Sequence, residues 1–322
     1  MKKSQSLSHT MKEPVSYLSG VGAMALLFGL LGCSQDVSLN YSEEETTLEN
    51  VAIGQNEAYD ALEVDYQMEA DFLASRPYRL QPSVWVDNCT TVTNDSINKI
   101  LTIDFGPYTQ GDVIPGCLSL FSRIRSGKII VRYVTTLGDT ATNRIITFDS
   151  YIVNNKVIED TVEWLNISLN SAQKLQGTVK FVNLKIGFPD GTSITLNGHQ
   201  TRVWDQGMGD QDPSNNIYLI PVDSLNPTTG LTSNPLTGMT STQRSFRSDQ
   251  IATVLINFSC AIPGNFARTV GLVSLTTLSG FPDQLREVNY CTGTTTTTGS
   301  TCICDQIVEV VTYRRTFFLS VY

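Results

Sequence analysis

Histidine is nearly missing from this chain. It occurs twice in 322 residues, and only His199 lies beyond the N-terminal segment. Most imidazole-based catalytic schemes are thereby excluded. Basic residues are also few: 22 Lys and Arg stand against 31 Asp and Glu, a net charge of −9 with no basic run. Affinity for nucleic acid comes largely from neutralising phosphates, so nucleic acid is excluded as a partner. No Cys-X-X-Cys pair is present, and Cys302-Ile303-Cys304 has a single spacer. With no His/Cys set to complete a zinc site, neither a metal nor a cofactor is expected. Charged residues of either sign make up only 16% of the chain. Long apolar runs are confined to Val15–Leu31, which is too short and too glycine-rich for a comfortable transmembrane helix of roughly 20 apolar residues.

Apolar residues total 41%, enough for a sizeable core. The length suits one large β domain or two lobes of roughly 100–150 residues. Abundant Thr, Ser, Asn and Gly favour a β-rich extracytoplasmic protein.

Residues 1–32 read as a signal peptide. Lys2, Lys3 and Lys12 form its basic region, and the apolar stretch ends in Leu30-Leu31-Gly32-Cys33. Translation from Met11 instead of Met1 would give a signal of more usual length. The ending resembles a bacterial lipobox, in which Cys33 takes a thioether-linked diacylglycerol and becomes the mature N-terminus. Eleven acidic residues follow between Ser34 and Ser75 without one Lys or Arg, whereas residues 76–322 carry 19 basic and 19 acidic side chains. Residues 33–55 therefore read as a solvated acidic tether. Such tethers resemble those of surface-exposed Bacteroidota lipoproteins. The expected location is the outer membrane, facing outward, with the acyl chains on Cys33 as the membrane partner.

Over 56–76, Tyr59, Leu62, Tyr66 and Leu73 recur at helical spacing with acids between them. A short helix is expected there, lying on the body through its Tyr/Leu stripe. From 77 to 322 the pattern is that of strands. Arg144–Val153, Asn154-Asn155 and Lys156-Val157-Ile158 form a hairpin, because Asn tolerates the left-handed backbone of a two-residue turn. Gly177–Phe188, Pro189-Asp190-Gly191 and Thr192–Asn197 form a second. Residues 223–250, rich in Pro, Gly, Ser and Thr, read as a long loop or an inter-lobe connection. The expectation is a mainly β fold: a large antiparallel meander, arranged as a sandwich or an elongated β-roll, with one short N-terminal helix. Matching Cys-to-Gly spacings, Cys117 to Gly127 and Cys260 to Gly271, hint at two related lobes, 77–200 and 201–322.

Six cysteines remain in the body, and an even number in an exported chain reads as disulfides. Local spacing favours Cys89–Cys117, Cys260–Cys304 and Cys291–Cys302. The chief alternative exchanges Cys302 and Cys304. The loop holding Asp205, Asp210 and Asp212 is acidic enough to suggest calcium, but it lacks the EF-hand pattern. An Asx-turn loop is the simpler account. His199 beside Gly198 reads as a surface residue and not as an activator of a thiol.

Leu101-Thr102-Ile103-Asp104-Phe105-Gly106, the loop to Cys117, Ser126-Gly127-Lys128-Ile129-Ile130-Val131 and Ile146–Asn154 together are similar to a group of Bacteroidota outer-membrane lipoproteins. Asp190-Gly191-Thr192, Arg202–Gly207 and Cys304-Asp305 extend the similarity over most of 85–322. Cys291, Cys302 and the insert Thr294–Thr298 depart from it. The resemblance implies an exported, anchored β protein and no particular activity. Four sites, Asp95-Ser96-Ile97, Asp139-Thr140-Ala141, Asp160-Thr161-Val162 and Asp223-Ser224-Leu225, resemble the O-glycosylation acceptor motif of exported Bacteroidota proteins. Ser96, Thr140, Ser224 and Thr161 are thus candidate acceptors, with Thr161 disfavoured by its place in a strand.

The leading expectation is a lipid-anchored structural or binding module of the cell envelope, with a glycan or a protein as ligand. The competing classes are a lipid-anchored hydrolase of polysaccharide or peptidoglycan and an adhesin or fimbrial-type subunit. No spacing singles out a pair of carboxylates for hydrolysis, so catalysis is disfavoured.

Overall fold

Helix formation begins well ahead of the Tyr/Leu periodicity. In the computed structural model, α1 runs over Tyr41–Leu73, 33 residues. The structure describes residues 41–73, 89–109, 116–119, 123–137, 139, 142–207, 215–222, 235–262, 265–270, 272–277, 284–289, 295–296, 299–300, 307–312 and 316–320. The stretch expected to be tether is therefore helical from Tyr41 onward. The helix is also not a surface helix with one apolar stripe. Among residues 48–69 only Glu49 is exposed. Leu48, Ala58, Tyr59, Leu62, Val64 and Met68 belong to the hydrophobic core, as do strand residues on every side of it.

Strands follow in the order β1 Thr91–Asp95, β2 Ile100–Asp104, β3 Cys117–Ser119, β4 Arg123–Tyr133, β5 Arg144–Val153, β6 Lys156–Leu169, β7 Leu175–Gly187, β8 Ser193–Gln206, β9 Ile217–Ile220, β10 Leu236–Met239 and β11 Ser245–Gln250. The series continues with β12 Val254–Ile262, β13 Asn265–Val270, β14 Leu272–Thr277, β15 Gln284–Asn289, β16 Thr295–Thr296, β17 Gly299–Ser300, β18 Ile307–Thr312 and β19 Thr316–Ser320. Seventeen of them form one sheet, and β16 pairs with β17 apart from it. The pairings are antiparallel, so the expected fold class holds.

From β4 to β8 the sheet is a plain meander. At β8 it forks. Residues 195–197 of β8 pair with β10, while 203–206 pair with β9. One branch continues β9–β12–β13 and the other β10–β11–β14–β15–β18–β19. A lobe boundary at 200/201 would fall inside β8, whose 14 residues run unbroken, and residues 40–322 group as one unit. The long loop expected over 223–250 holds the β10–β11 hairpin.

Bulges account for the curvature. Register shifts interrupt β4 between Ser126 and Lys128, β5 between Thr147 and Ile152, β6 on either side of Thr161–Leu165, and β7 between Phe181 and Leu184. Positive φ at Gly127, Ser150, Asp160, Asn166 and Asn183 marks the extra residues. A bulge bends its strand and adds twist, and several adjacent ones curl a sheet. Each also resets the alternation, so that Phe181 and Leu184 are both buried although three residues apart. At Gly127 the reason for glycine is direct: φ is 75° and a Cβ would strike the Ser150 carbonyl.

The turn chemistry is local. Asn154 and Asn155 take φ of 46° and 63° between β5 and β6, as expected of a two-residue turn. Asp190 Oδ1 accepts hydrogen bonds from Thr192 N and Oγ1 between β7 and β8, with Gly191 at φ 85°. Two other turns repeat one design. In Asn170-Ser171-Ala172-Gln173-Lys174 and Thr240-Ser241-Thr242-Gln243-Arg244 the Gln sits at φ 59° and 61°, and its N–H donates to the carbonyl of the first residue.

Candidate functional site

The acids of α1 make the most unusual feature of the molecule. Glu57, Asp60, Glu63, Asp65 and Glu69 are all buried. Helical spacing sends them toward different strands, and an inward-facing cation meets each of them. Those cations are Arg123 and Arg125 on β4, Arg144 on β5, Lys156 at the start of β6 and Arg202 on β8.

Nearest the helix start, Glu57 pairs with Arg123 and accepts a hydrogen bond from Lys156 Nζ at 2.8 Å. Asp60 lies against both Arg123 and Arg125. Arg125 forks onto its carboxylate, with the Nη2 bond at 2.8 Å. The same guanidinium donates to Ser119 Oγ and to Tyr151 Oη, each at 2.6 Å. Burial pushes the Asp60 carboxyl up, but Arg123 and Arg125 outweigh it and hold the group below the usual range. Burial pushes the Tyr151 hydroxyl up to about 12.

In the middle, Glu63 accepts hydrogen bonds from Tyr218 Oη at 2.6 Å, Asn216 Nδ2 at 2.7 Å and Gln67 Nε2 at 3.1 Å. Arg202 stands 3.6 Å away. It is held chiefly by rings: its guanidinium carbon is 3.5 Å from the centroid of Tyr218 and 5.3 Å from that of Tyr59. With the cation this distant, burial prevails and Glu63 lies above its ordinary value.

At the far end, Arg144 Nη1 bonds Asp65 Oδ2 at 3.0 Å and also meets Glu69. Burial pushes Asp65 up to about 6; Arg144 opposes this and Glu69 reinforces it. Asp65 Oδ1 and Arg144 Nε have no hydrogen-bond partner among the described residues.

Such buried pairs add little net stability, because desolvation offsets most of the Coulomb gain. Removing one member is another matter: it strands the other charge, at a cost of about 3–5 kcal/mol. The ladder therefore sets where α1 sits along the sheet. A slip by one turn would place carboxylates against apolar wall and leave guanidinium groups unpaired. Chemically the ladder is closed. Asp60, Asp65 and Arg125 are 1%, 0% and 0% exposed, so water and substrate do not reach them. Burial of this kind suits a structural latch that fixes α1 against the sheet.

The sequence-derived candidates lie elsewhere. The Cys89–Cys117 disulfide is present, with its Cα atoms 5.6 Å apart, and it ties the segment before β1 to β3. Cys260 is on β12. Cys33, Cys291, Cys302 and Cys304 lie outside the described residues, as do Thr140, Ser224, Asp210 and Asp212. Ser96 is exposed in the β1–β2 turn, where Asp95 Oδ1 accepts from Ile97 N and Asn98 N. Thr161 is half-buried in β6. Asp205 is half-buried and paired with Lys174. Among the described residues, no group of three or more His, Cys, Asp or Glu could hold a metal ion. His199 sits half-buried mid-strand in β8, opposite Lys180 in the β7–β8 hairpin.

Sequence reasoning missed the arginine ladder. The available signal was the acidic run itself. Eleven acids without one Lys or Arg leave a helix no partners of its own, and Arg123 and Arg125 at i, i+2 share one strand face. Comparison of the chain with protein-family models, with curated proteins and with solved structures gave no match in any of the three.

Proposed function

We propose that this protein is a lipid-anchored β module of the cell envelope that serves a structural or binding role at the outer membrane, displayed on the outward face. One observation carries this: the apolar run ending in Leu31-Gly32-Cys33, followed within a few residues by the first helix of an all-β body. Two features of the body favour a module over a hydrolase. The buried carboxylates of α1 each lie against a cation, so they are not placed as an acid/base pair. The disulfide suits an oxidising compartment. No helix among the described residues is long and apolar enough to cross a membrane. Attachment then rests on acyl chains, each buried CH₂ contributing roughly 0.8 kcal/mol.

Replacing the anchor residue tests this. In the native host, Cys33→Ser should move the protein from the membrane fraction to the soluble one. High-salt washing removes electrostatic adsorption but leaves acyl chains in place. A variant that stays with washed membranes would end the proposal.

A further inference from the structure

The direction of α1 can be read along β8. Gly54 packs on Leu196, Tyr59 Oη bonds Gln200 at 2.6 Å, Glu63 faces Arg202, and Tyr66 stacks edge-on against Trp204 with centroids 4.5 Å apart. The helix thus runs in the same direction as β8. The part of α1 around Asn50–Gly54 thus lies toward the end of the body where β8 begins, the end that carries the Pro189–Thr192 turn. Two more contacts place other turns there. Asn50 Oδ1 accepts from Ser241 N in the β10–β11 turn, and Glu57 meets Lys156 just after Asn154-Asn155. The opposite end holds the β1–β2 turn, the end of β4 and the β6–β7 turn. It carries Ile97, Val134 and Leu169, exposed at 90%, 55% and 54%.

We propose that the body stands on the membrane with one polarity: the end bearing Asn154-Asn155, Pro189–Thr192 and Ser241–Gln243 faces the bilayer, and the end bearing Ile97, Val134 and Leu169 is presented outward. This rests on the anchoring of Cys33 proposed above. Only residues 34–40 separate that Cys from α1. Covalent geometry limits them to a reach of about 25–30 Å. The helix alone is about 50 Å long, from its 33 residues at about 1.5 Å each. An inverted body would need more leash than exists. Paying out α1 as extra leash would pull buried Leu48, Val51 and Ala52 from the core and break the Asn50–Ser241 bond, and from Glu57 onward the acids are locked to Arg123, Arg125 and Arg144. The bilayer partner is thus met by a defined set of turns, and the most exposed large apolar side chain among the described residues, Ile97, sits at the far end.

The test uses the full lipidated protein in phosphatidylcholine vesicles that contain a headgroup-labelled acceptor lipid. A donor dye is coupled to a single click-reactive residue at position 190 or at position 97, both exposed. Energy transfer should be at least twofold stronger from 190 than from 97. A spacer of roughly 20 Gly/Ser residues inserted after position 36 lengthens the leash and should erase the difference. Equal transfer in the parent protein, or stronger transfer from 97, overturns the polarity. If the protein does not float with the vesicles at all, the anchor is wrong and the polarity falls with it. Flotation and energy transfer therefore separate the two failures.

Discussion

Asp65 shows what a residue costs when its solvation is only partly replaced. It has one bond to Arg144, shares that guanidinium with Glu69, and leaves Oδ1 without a partner among the described residues. Burial pushes its carboxyl up to about 6 from an ordinary 3.8. Between those values the folded chain binds more protons than the unfolded one, so this group makes stability fall as pH rises from about 4 to about 6. Above that window the penalty is complete and constant. Asn cannot titrate. Whatever constant offset the lost Arg144 pairing gives, the stability difference between Asp65→Asn and the parent should therefore shift in the variant's favour by on the order of 1–3 kcal/mol from pH 4 to pH 7. Urea unfolding of both proteins across this range reads the difference directly, and it cancels the opposite trend expected from Asp60. A difference that shrinks as pH rises would show that Asp65 is not the strained carboxylate.

At the scale of the element, α1 breaks the usual rule for helices. Most are one-sided, and an apolar stripe of about 100° marks the side that packs. Here acids occupy the buried faces, so the stripe Tyr59, Leu62 and Tyr66 was legible as a helix while the burial of the rest was not. Its start lies earlier than expected, because Glu43, Glu44, Glu45 and Glu49 read as tether by composition, whereas the helix that holds them begins at Tyr41. Gly54 gives the element its own test. A helix interior disfavours Gly by about 1 kcal/mol, yet here a Cβ would run into the Leu196 side chain on β8. Gly54→Leu should force α1 away from the sheet and cost more than 3 kcal/mol, seen as a drop in thermal midpoint. A variant as stable as the parent would mean that helix and sheet have room to part.

For the whole molecule, the disulfides report how the sheet is tied together. Cys89–Cys117 closes a sequence separation of 28 residues, worth roughly 3–4 kcal/mol in the chain-entropy account. The remaining body cysteines, Cys260, Cys291, Cys302 and Cys304, are even in number. Thiol labelling of denatured, unreduced protein should find none free, and reduction should release six. Two or more labelled positions before reduction would rule out three bridges.

Sequence alone determined the local features. Strand class came from β-branched alternation, the Asn154-Asn155 and Pro189-Asp190-Gly191 turns from backbone preference, and Cys89–Cys117 from nearness along the chain. Each depends on residues close to one another, where φ/ψ preferences and short loops dominate. Tertiary structure decided the rest. The β10–β11 hairpin exists because β8 and β14 supply partners on either side of it, against a composition that reads as loop. The bulges at Ser150, Asp160, Asn166 and Asn183 use residue types of which Asn and Asp tolerate positive φ, but which of the chain's many Asn and Asp take it is set by the register with the neighbouring strand. The acidic helix stays in the core because arginines 60 to 140 positions away meet it there, and a charge is stable out of water only when another chain segment replaces the water it loses.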